Sequence, residues 1–234
     1  MVFMSIAENI AAVRQNIARA AAEVGRSPAE ITLVGASKMN DAAACRAAIA
    51  AGIDALGENR VQEMTKKLAE HAYDGAPLHF IGHLQRNKVK MVVGKVGLIE
   101  SVGSTELLSM IDAQAEKLQI VQDVLLEVNI GGEDAKSGFS VPELSAAAEA
   151  AGTFPHIRVR GLMCIPPVAA EKHGSIPYFE KVHTLFIDIN EKMYNNKLNI
   201  LSMGMSGDYE DAVRAGATEV RVGTAIFGHR SYTI

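Results

Sequence analysis

The chain has 234 residues, of which 48% are apolar and 21% charged, with 20 glycines and 7 prolines. This composition is typical of a globular protein with a sizeable core, and it excludes collagen, low-complexity disorder and small disulfide scaffolds. The 23 basic and 27 acidic side chains give a net charge of -4, so no overall basic footprint indicates binding to nucleic acid.

Strand-length apolar runs alternate with stretches of helical spacing along the whole chain. A first helix is predicted at 5–24, before any strand. Eight strands are predicted at 31–38, 53–59, 78–83, 97–102, 124–130, 157–165, 199–206 and 219–227. The helices between and after them are predicted at 41–51, 60–71, 87–93, 105–117, 142–151, 176–195 and 208–215. Because no proline- or serine-rich linker divides the chain, we expect a single domain over residues 1–234.

The strands predict a parallel sheet covered on both faces. Residues 124–128, for example, read as a nearly continuous apolar run rather than a clean alternation of apolar and polar side chains. Eight strand–helix units in this length favour a (β/α)8 TIM-type barrel with an extra N-terminal helix. The alternative is an open doubly wound sheet, which usually has fewer strands and a phosphate loop after the first.

The N-terminal residues and the cysteines indicate the cellular compartment of the protein. Glu8 and Arg14 lie where a signal peptide would need an apolar run, and no apolar stretch approaches the length of a membrane helix. Cys45 and Cys164 are far apart and have no metal-ligand spacing, which is typical of buried thiols in a reducing compartment. We therefore expect a cytoplasmic protein without a membrane partner or a structural zinc site.

The first strand ends in a lysine that could be a nucleophile. In a barrel of this kind the active site lies at the carboxyl ends of the strands, and alternation places Lys38 on the same face as Val34 and Ala36. A lysine that loses hydration among small or apolar neighbours can form a Schiff base with an aldehyde. The alternative is a lysine that reaches solvent with its stem packed on the barrel wall.

The seventh and eighth strands end in a candidate phosphate site. Loops at these two positions often hold a phosphate, and Gly223 would allow a close approach of the backbone. Thr224, Ser206 and main-chain N–H groups would donate hydrogen bonds to the oxygens. The alternative is that Gly223 is only a bend and Ser206 only a helix cap.

In the eighth predicted strand, Arg221 and Gly223 lie on the same face, and Val220 and Val222 lie on the opposite face, toward the helices. An arginine in the barrel mouth suits an anion or an aromatic nitrogen. A Schiff-base lysine, a phosphate loop and a polar group between them together indicate a pyridoxal 5'-phosphate site.

Seven ordered motifs over nearly the whole chain resemble the pyridoxal phosphate homeostasis proteins, which are relatives of the barrel half of alanine racemase. The motifs are VGASK at 34–38, GEN at 57–59 with VQE at 61–63, HFIGHLQRNK at 79–88, KSGF at 136–139, GLM at 161–163, LSMGMS at 201–206 and VRVGTAIFG at 220–228. The resemblance implies a (β/α)8 barrel that binds pyridoxal 5'-phosphate.

The resemblance also implies roles for individual residues. Lys38 would carry the internal aldimine, and Ser206, Gly223 and Thr224 would hold the phosphate. Arg221 would face the pyridine nitrogen, which would then stay unprotonated, so that the ring is a weak electron sink.

Two further residues, Asn59 and His83, would line the ring. The chain departs from the family pattern at Arg60, where an aromatic residue is common, and at 164–167. Neither departure touches the lysine or the phosphate residues.

Two functions from different classes remain open. The resemblance implies a carrier without robust catalysis, which holds the cofactor reversibly, supplies pyridoxal phosphate-dependent apoenzymes and influences pools of small amino acids. The alternative is an amino-acid racemase, but the related racemases take a tyrosine as second base from an additional domain, for which these 234 residues have no counterpart. The five tyrosines lie outside any ring-facing motif, at positions 73, 178, 194, 209 and 232.

A third class, an RNA-binding regulator, would use the basic run that begins at Arg86. Such a run is more often the solvated face of a helix, so nucleic acid is an unlikely partner.

Overall fold

The computed structural model describes residues 4–133 and 137–228. Eight strands alternate with helices in this part of the chain. The strands are β1 (Thr32–Ala36), β2 (Ala55–Glu58), β3 (Leu78–Phe80), β4 (Leu98–Val102), β5 (Gln122–Val128), β6 (Ile157–Cys164), β7 (Ile200–Ser202) and β8 (Glu219–Val222). The helices are α1 (Ile6–Glu23), α2 (Ala42–Ala50), α3 (Val61–Ala69), α4 (Val89–Val92), α5 (Thr105–Lys117), α6 (Leu144–Ala151), α7 (Ile176–Met193), α8 (Tyr209–Arg214) and α9 (Thr224–Phe227).

The strands form a closed parallel barrel in the order β1 to β8, so the predicted (β/α)8 barrel is confirmed and the open sheet is wrong. Closure is made by β1 and β8, where Val34 lies opposite Arg221 and Gly35 lies opposite Val222. Because all strands run in one direction, their carboxyl ends meet at a single mouth of the barrel.

Alternation along the strands separates two apolar regions. Leu33, Val220 and Val222 are fully buried in the large cluster that packs the barrel wall against the helices. Leu98, Leu125 and Met163 form a separate cluster, as expected for side chains that point into the barrel. The parity predicted for β8 is therefore confirmed, since Val220 and Val222 face the helices.

The extra N-terminal helix is present and has a well-defined start. Ser5 and Glu8 form a capping box at the beginning of α1, and the buried face of α1 includes Ile10 and Val13. The helix packs against α8 and α9. Asp41 caps α2 by accepting a 2.8 Å hydrogen bond from the backbone N–H of Ala44.

Several predicted boundaries are wrong at the carboxyl ends of strands. The predicted strand 219–227 stops at Val222, and Thr224–Phe227 forms the helix α9 instead. In a short apolar run, the spacing of side chains cannot distinguish a strand from a helix. Here the N–H of Phe227 bonds to the carbonyl of Gly223, four residues earlier, which is the helical pattern. The predicted helix 87–93 is a 3-10 turn at Arg86–Lys88 followed by α4.

Among the described helices, none is long and apolar enough to cross a membrane.

Candidate functional site

Lys38 follows β1 at the mouth of the barrel, where the chain turns away from the sheet. The Lys38 side chain is half-buried, while the preceding Ser37 is fully buried. The N–H of Ser37 still bonds to the carbonyl of Gly57 on β2, at 2.9 Å, so the chain leaves the barrel wall only after this residue. The next residue, Met39, has a φ of 64°, which is uncommon for any residue with a side chain.

Ser206 connects the loops that follow β7 and β8. The Ser206 hydroxyl oxygen accepts hydrogen bonds from the backbone N–H of Gly223 at 3.1 Å and of Ala225 at 3.4 Å. Asp208 is at the N-cap position of α8, so Ser206 does not cap that helix, and the alternative interpretation of Ser206 as its cap is wrong. With its oxygen held by two backbone donors, the Ser206 hydroxyl can direct its own proton toward an anion at the mouth.

Gly223 and Thr224 lie beside this point. A Cβ atom added to Gly223 would lie 3.4 Å from the carbonyl oxygen of Ala36, so the loop after β8 passes close to the end of β1. The Thr224 side chain is exposed at the start of α9. The structure thus brings Ser206, Gly223 and Thr224 to the same end of the barrel as Lys38.

Arg221 is buried inside the barrel, two residues before Gly223, with 3% of its surface exposed. Its guanidinium donates to the Ser202 hydroxyl at 2.6 Å and to the Cys164 carbonyl at 2.9 Å. A carboxylate oxygen of Glu100 lies 3.8 Å from the same guanidinium. Bonds to β6 and β7 and this charge hold the side chain in place.

A buried acid–base cluster lies next to Arg221 in the barrel interior. The Nδ1 atom of His79 is 2.9 Å from Glu100 and 3.6 Å from Glu219, and the Ser202 hydroxyl donates to Glu100 at 2.7 Å. Burial alone would lower the pKa of His79, but the hydrogen bond to Glu100 and the two carboxylate charges raise it above its usual value. Burial and the charge of Glu100 raise the pKa of Glu219, which favours a proton on this side chain.

The same three side chains have the residue types of a metal site, because their ligating atoms lie within 4.8 Å of one another. Two features argue for protons instead of a metal ion. His79 and Glu100 already pair with each other, and the Arg221 cation lies 3.8 Å from Glu100.

The cysteines are free and buried, and burial raises the pKa of Cys164 to about 12, which makes it a poor metal ligand.

Asn59 and His83 follow the neighbouring strands β2 and β3 at the mouth. Asn59 is half-buried, and its buried side-chain oxygen has no hydrogen-bond partner among the residues that the structure describes. The exposed His83 lines a cavity of about 640 Å³ on the β3–β4 side, together with Ser101 and Ser104. The preceding Gly82 packs against Asn59, because an added Cβ atom would clash with the Asn59 backbone, so the loops after β2 and β3 meet here.

The sequence analysis assigned no role to several buried charged residues. Glu100, Glu127 and Glu219 each lie within an apolar strand, and each is nearly or fully buried. Glu127 accepts hydrogen bonds from the Ser137 hydroxyl at 3.0 Å, and burial raises its pKa. In an otherwise apolar strand, a charged residue at a position that points into the barrel is the sequence signal that could have identified them. Of the residues considered above, Lys136 and Tyr232 lie outside the described part of the chain.

Comparison with known proteins gives a consistent result over the full chain. The profile of the alanine racemase N-terminal domain matches residues 9–231. A pyridoxal phosphate homeostasis protein of Aquifex aeolicus is 42% identical, with 98% of this chain and 100% of that protein covered. A protein of the same name from Pseudomonas aeruginosa is 41% identical over 97% of both chains.

Solved structures agree with these sequence matches. PipY of Synechococcus elongatus, with pyridoxal phosphate bound, is 32% identical and has a TM-score of 0.83, with 96% of this chain and 100% of that chain covered. An alanine racemase of Clostridium difficile is 15% identical and has a TM-score of 0.71, with 94% of this chain and 60% of that chain covered. The second likeness is one of fold alone.

Proposed function

We propose, because the chain belongs to the pyridoxal phosphate homeostasis protein family, that the mouth of its barrel binds pyridoxal 5'-phosphate. The observation that carries this proposal is the meeting of Lys38, the Ser206 loop and Arg221 at the carboxyl ends of β1, β7 and β8. The relative PipY, with this cofactor bound, has the same fold. We take the whole barrel, residues 1–234, as one binding domain.

The phosphate would lie at Ser206, Gly223 and Thr224. The Ser206 oxygen accepts from the backbone N–H groups of Gly223 and Ala225, which leaves its own proton for an anion at the mouth. Thr224 is exposed beside them and can add a hydroxyl donor. This set recognises a dianion by hydrogen bonds and does not need a lysine or arginine.

Arg221 and Lys38 would act on the ring and on the aldehyde. Val34, opposite Arg221, precedes Lys38 by four residues, so the guanidinium lies deeper in the barrel than the lysine. In that position Arg221 can donate a hydrogen bond to the pyridine nitrogen, and Lys38 can hold the aldehyde carbon as a reversible Schiff base with loss of water. Asn59 and His83 would line the ring, and the side-chain oxygen of Asn59 has no hydrogen-bond partner in the described part of the chain.

We infer that the protein keeps pyridoxal phosphate available in the cytoplasm and has no robust catalytic activity. The cofactor supplies electrophilic chemistry to amines, so reversible retention would limit unwanted reactions and allow transfer to apoenzymes; small amino acids could also exchange at Lys38. Two free, buried cysteines fit the reducing conditions of the cytoplasm.

The tyrosines support a carrier over a racemase. The hydroxyls of Tyr73, Tyr194 and Tyr209 hydrogen-bond to Glu58, to a backbone carbonyl of α6 and to Asn16, respectively. Tyr178 packs against the main core. None of these four described tyrosines is placed as a second base at the barrel mouth.

Reduction of the loaded protein with borohydride tests the proposal. The protein is mixed with pyridoxal 5'-phosphate, its visible spectrum is recorded, and the reduced protein is digested so that the modified peptide can be identified. We expect a yellow protein modified at Lys38, and a colourless, folded Lys38→Ala variant, because this half-buried side chain can be removed without opening the core. Lys95→Ala, at an exposed lysine outside the mouth, is the control. A modified residue other than Lys38 would contradict the assignment.

A further inference from the structure

We propose that Glu63 and Lys67, on α3, position Lys38 by holding the backbone on both sides of it, with Glu58 as their buried anchor. This inference rests on the proposed function, because it concerns how the amine of Lys38 is presented to an aldehyde. It gives a role to the GEN and VQE motifs at 57–63, whose acidic residues have none in the binding site itself.

The first contact is made to the peptide unit before Lys38. The Lys67 ammonium group donates to the carbonyl oxygen of Ser37 at 2.8 Å. The Ser37 hydroxyl donates to Glu58 at 2.6 Å, and Lys67 reaches the same carboxylate oxygen at 2.7 Å. Ser37 is therefore fixed through both its side chain and its carbonyl group.

The second contact is made to the peptide unit after Lys38. The backbone N–H of Met39 donates to a carboxylate oxygen of Glu63, and the Asn40 side chain donates to the Lys38 carbonyl at 3.1 Å. Lys67 also forms an ion pair with Glu63 at 2.9 Å, which links the two halves of the arrangement. With both flanking peptide planes held, the backbone dihedrals of Lys38 are fixed, and with them the direction of its side chain.

The backbone conformation indicates that these contacts do more than fill space. Met39 lies in the left-handed region, with a φ of 64°, although its side chain is 55% exposed and gains little from packing. Such a conformation costs on the order of 1 kcal/mol and persists where surrounding contacts impose it. Two contacts hold it here: the turn bond from the Asn40 N–H to the Ser37 carbonyl at 3.0 Å, and the bond from the Met39 N–H to Glu63.

Burial of the Lys67 and Glu58 charges costs desolvation free energy, and both side chains contact Ser37. The side chains of Lys67 and Glu58 are 5% and 0% exposed, and the Tyr73 hydroxyl donates to Glu58 at 3.0 Å. Buried ion pairs contribute little net stability over apolar residues of similar volume, and their best-attested use is to select one arrangement. In this protein the arrangement selected is that of residues 37–39.

Substitutions at Glu63 separate positioning from stability. Glu63→Gln keeps an oxygen acceptor for the Met39 N–H, whereas Glu63→Met fills similar space without an acceptor, and Glu63→Ala removes the side chain. The Glu63 side chain is 20% exposed, so the helix can tolerate each change. Glu70→Met is the matched control, because Glu70 is exposed at the end of the same helix and pairs with Lys66 four residues before it.

Two ligands distinguish the steps of binding. The rate of Schiff-base formation with pyridoxal 5'-phosphate is followed by visible absorbance in stopped flow, and the affinity for pyridoxine 5'-phosphate, which lacks the aldehyde, is measured by calorimetry. Hydrogen exchange of the Met39 amide in the ligand-free protein is an independent readout.

We expect Glu63→Met and Glu63→Ala to slow Schiff-base formation roughly tenfold to a hundredfold, as small misplacements of reacting groups do. The Met39 amide should exchange faster, while the affinity for pyridoxine 5'-phosphate should stay the same. Glu63→Gln should restore most of the rate, and Glu70→Met should match the wild type. Equal rates in the wild type and in the Met and Ala variants, or a parallel loss of pyridoxine phosphate affinity, would overturn the positioning role alone. A wild type that forms no Schiff base would overturn the proposed function itself.

Discussion

Ser206 shows how a single hydroxyl can organise two loops of the barrel mouth. It accepts from two backbone N–H groups of the loop after β8 while its own residue belongs to the loop after β7. Because these N–H groups are bonded to its oxygen, the Ser206 hydroxyl has its own proton left to donate to a phosphate. Ser206 thus links the two loops and would present one oriented donor to the mouth.

The double variant Ser206→Ala with Thr224→Val is expected to retain pyridoxal 5'-phosphate more weakly. Hydrogen bonds to a charged group contribute roughly 1.5 to 3 kcal/mol each, and the backbone donors remain, so we expect a loss of about that size per hydroxyl. The measurement is the dissociation constant for pyridoxine 5'-phosphate. Thr184→Val, at an exposed helical threonine, is the control. Unchanged affinity in the double variant would show that the phosphate binds elsewhere.

Strand β6 depends on one residue without a side chain. Gly161 has a φ of 157°, and an added Cβ atom would lie 1.7 Å from the carbonyl oxygen of Ile200 on the neighbouring strand β7. The register between β5 and β6 also shifts beside this position, between Val124 and Leu125. Gly161 thus permits a close approach of two strands at an irregular point of the barrel wall.

Gly161→Ala is expected to destabilise the protein strongly, because neither backbone can move without breaking barrel hydrogen bonds. We expect a loss of more than about 3 kcal/mol in the free energy of unfolding, measured by urea denaturation. Gly152→Ala is the matched control, since Gly152 has a φ of -67° at the end of α6. An alanine there should be neutral or stabilise by up to about 1 kcal/mol. Similar losses in both variants would show that the β6 geometry is not the cause.

The glycine after α6 differs from those after α2 and α8. Gly52 and Gly216 have a positive φ, but Gly152 does not. A helix end does not require a left-handed residue, because the last turn of α6 bonds back to Ala148 and Glu149 instead.

The buried cluster in the barrel interior predicts how stability depends on pH. Burial beside Glu100 raises the pKa of Glu219 from 4.5 to about 8, so the folded state binds a proton that the unfolded chain has released. Stability must then fall as pH rises from about 4.5 to about 8, by at most about 1.4 kcal/mol per pH unit. The raised pKa of His79 acts in the same direction, because its contribution is lost as pH rises through the folded value.

Glu219→Gln should therefore flatten this decline, because the amide resembles the protonated acid and does not ionise. Urea denaturation of the ligand-free protein at several values between about pH 5 and about pH 8 is the measurement. Glu116→Gln, on an exposed face of α5, should leave the slope as it is in the wild type. An equally steep decline in the Glu219 variant would mean that this carboxyl group is ionised in the folded protein.

The proposed site would combine a cofactor-binding mouth with an arginine that disfavours removal of an α-proton. Arg221 is anchored by Ser202 and the Cys164 carbonyl, and it provides hydrogen-bond donors where a strong electron sink would need an acid. We expect the loaded protein to exchange the α-proton of L-alanine for solvent deuterium far more slowly than an ordinary enzyme turns over, on the order of 1 to 1000 per second.

Mass spectrometry of L-alanine after incubation in deuterium oxide measures this exchange, with cofactor occupancy determined in the same sample. An alanine racemase under identical conditions is the positive control. Exchange at an ordinary enzymatic rate would make the racemase function the better one and would require a second base that the described tyrosines do not provide.

The amino-acid sequence by itself determined the barrel and the order of its strands, because eight apolar runs with interleaved helices leave few other ways to bury both faces of a parallel sheet. It also placed Lys38, Ser206 and Arg221 near or beyond the carboxyl ends of β1, β7 and β8, where the structure has them, because order along the chain is a local property. Strand ends were less well predicted, as at β8, because short apolar runs satisfy a strand and a helical turn equally.

Only the tertiary structure decided which side chains meet. Glu58, Glu63 and Lys67 converge on the segment around Lys38, and His79, Glu100 and Glu219 meet inside the barrel, although these residues come from different elements. The structure also shows that the loops after β2 and β3 meet, because Gly82 packs against the Asn59 backbone. These outcomes depend on register, barrel closure and distances between strands far apart in the chain, and periodicity along one segment carries no information about them.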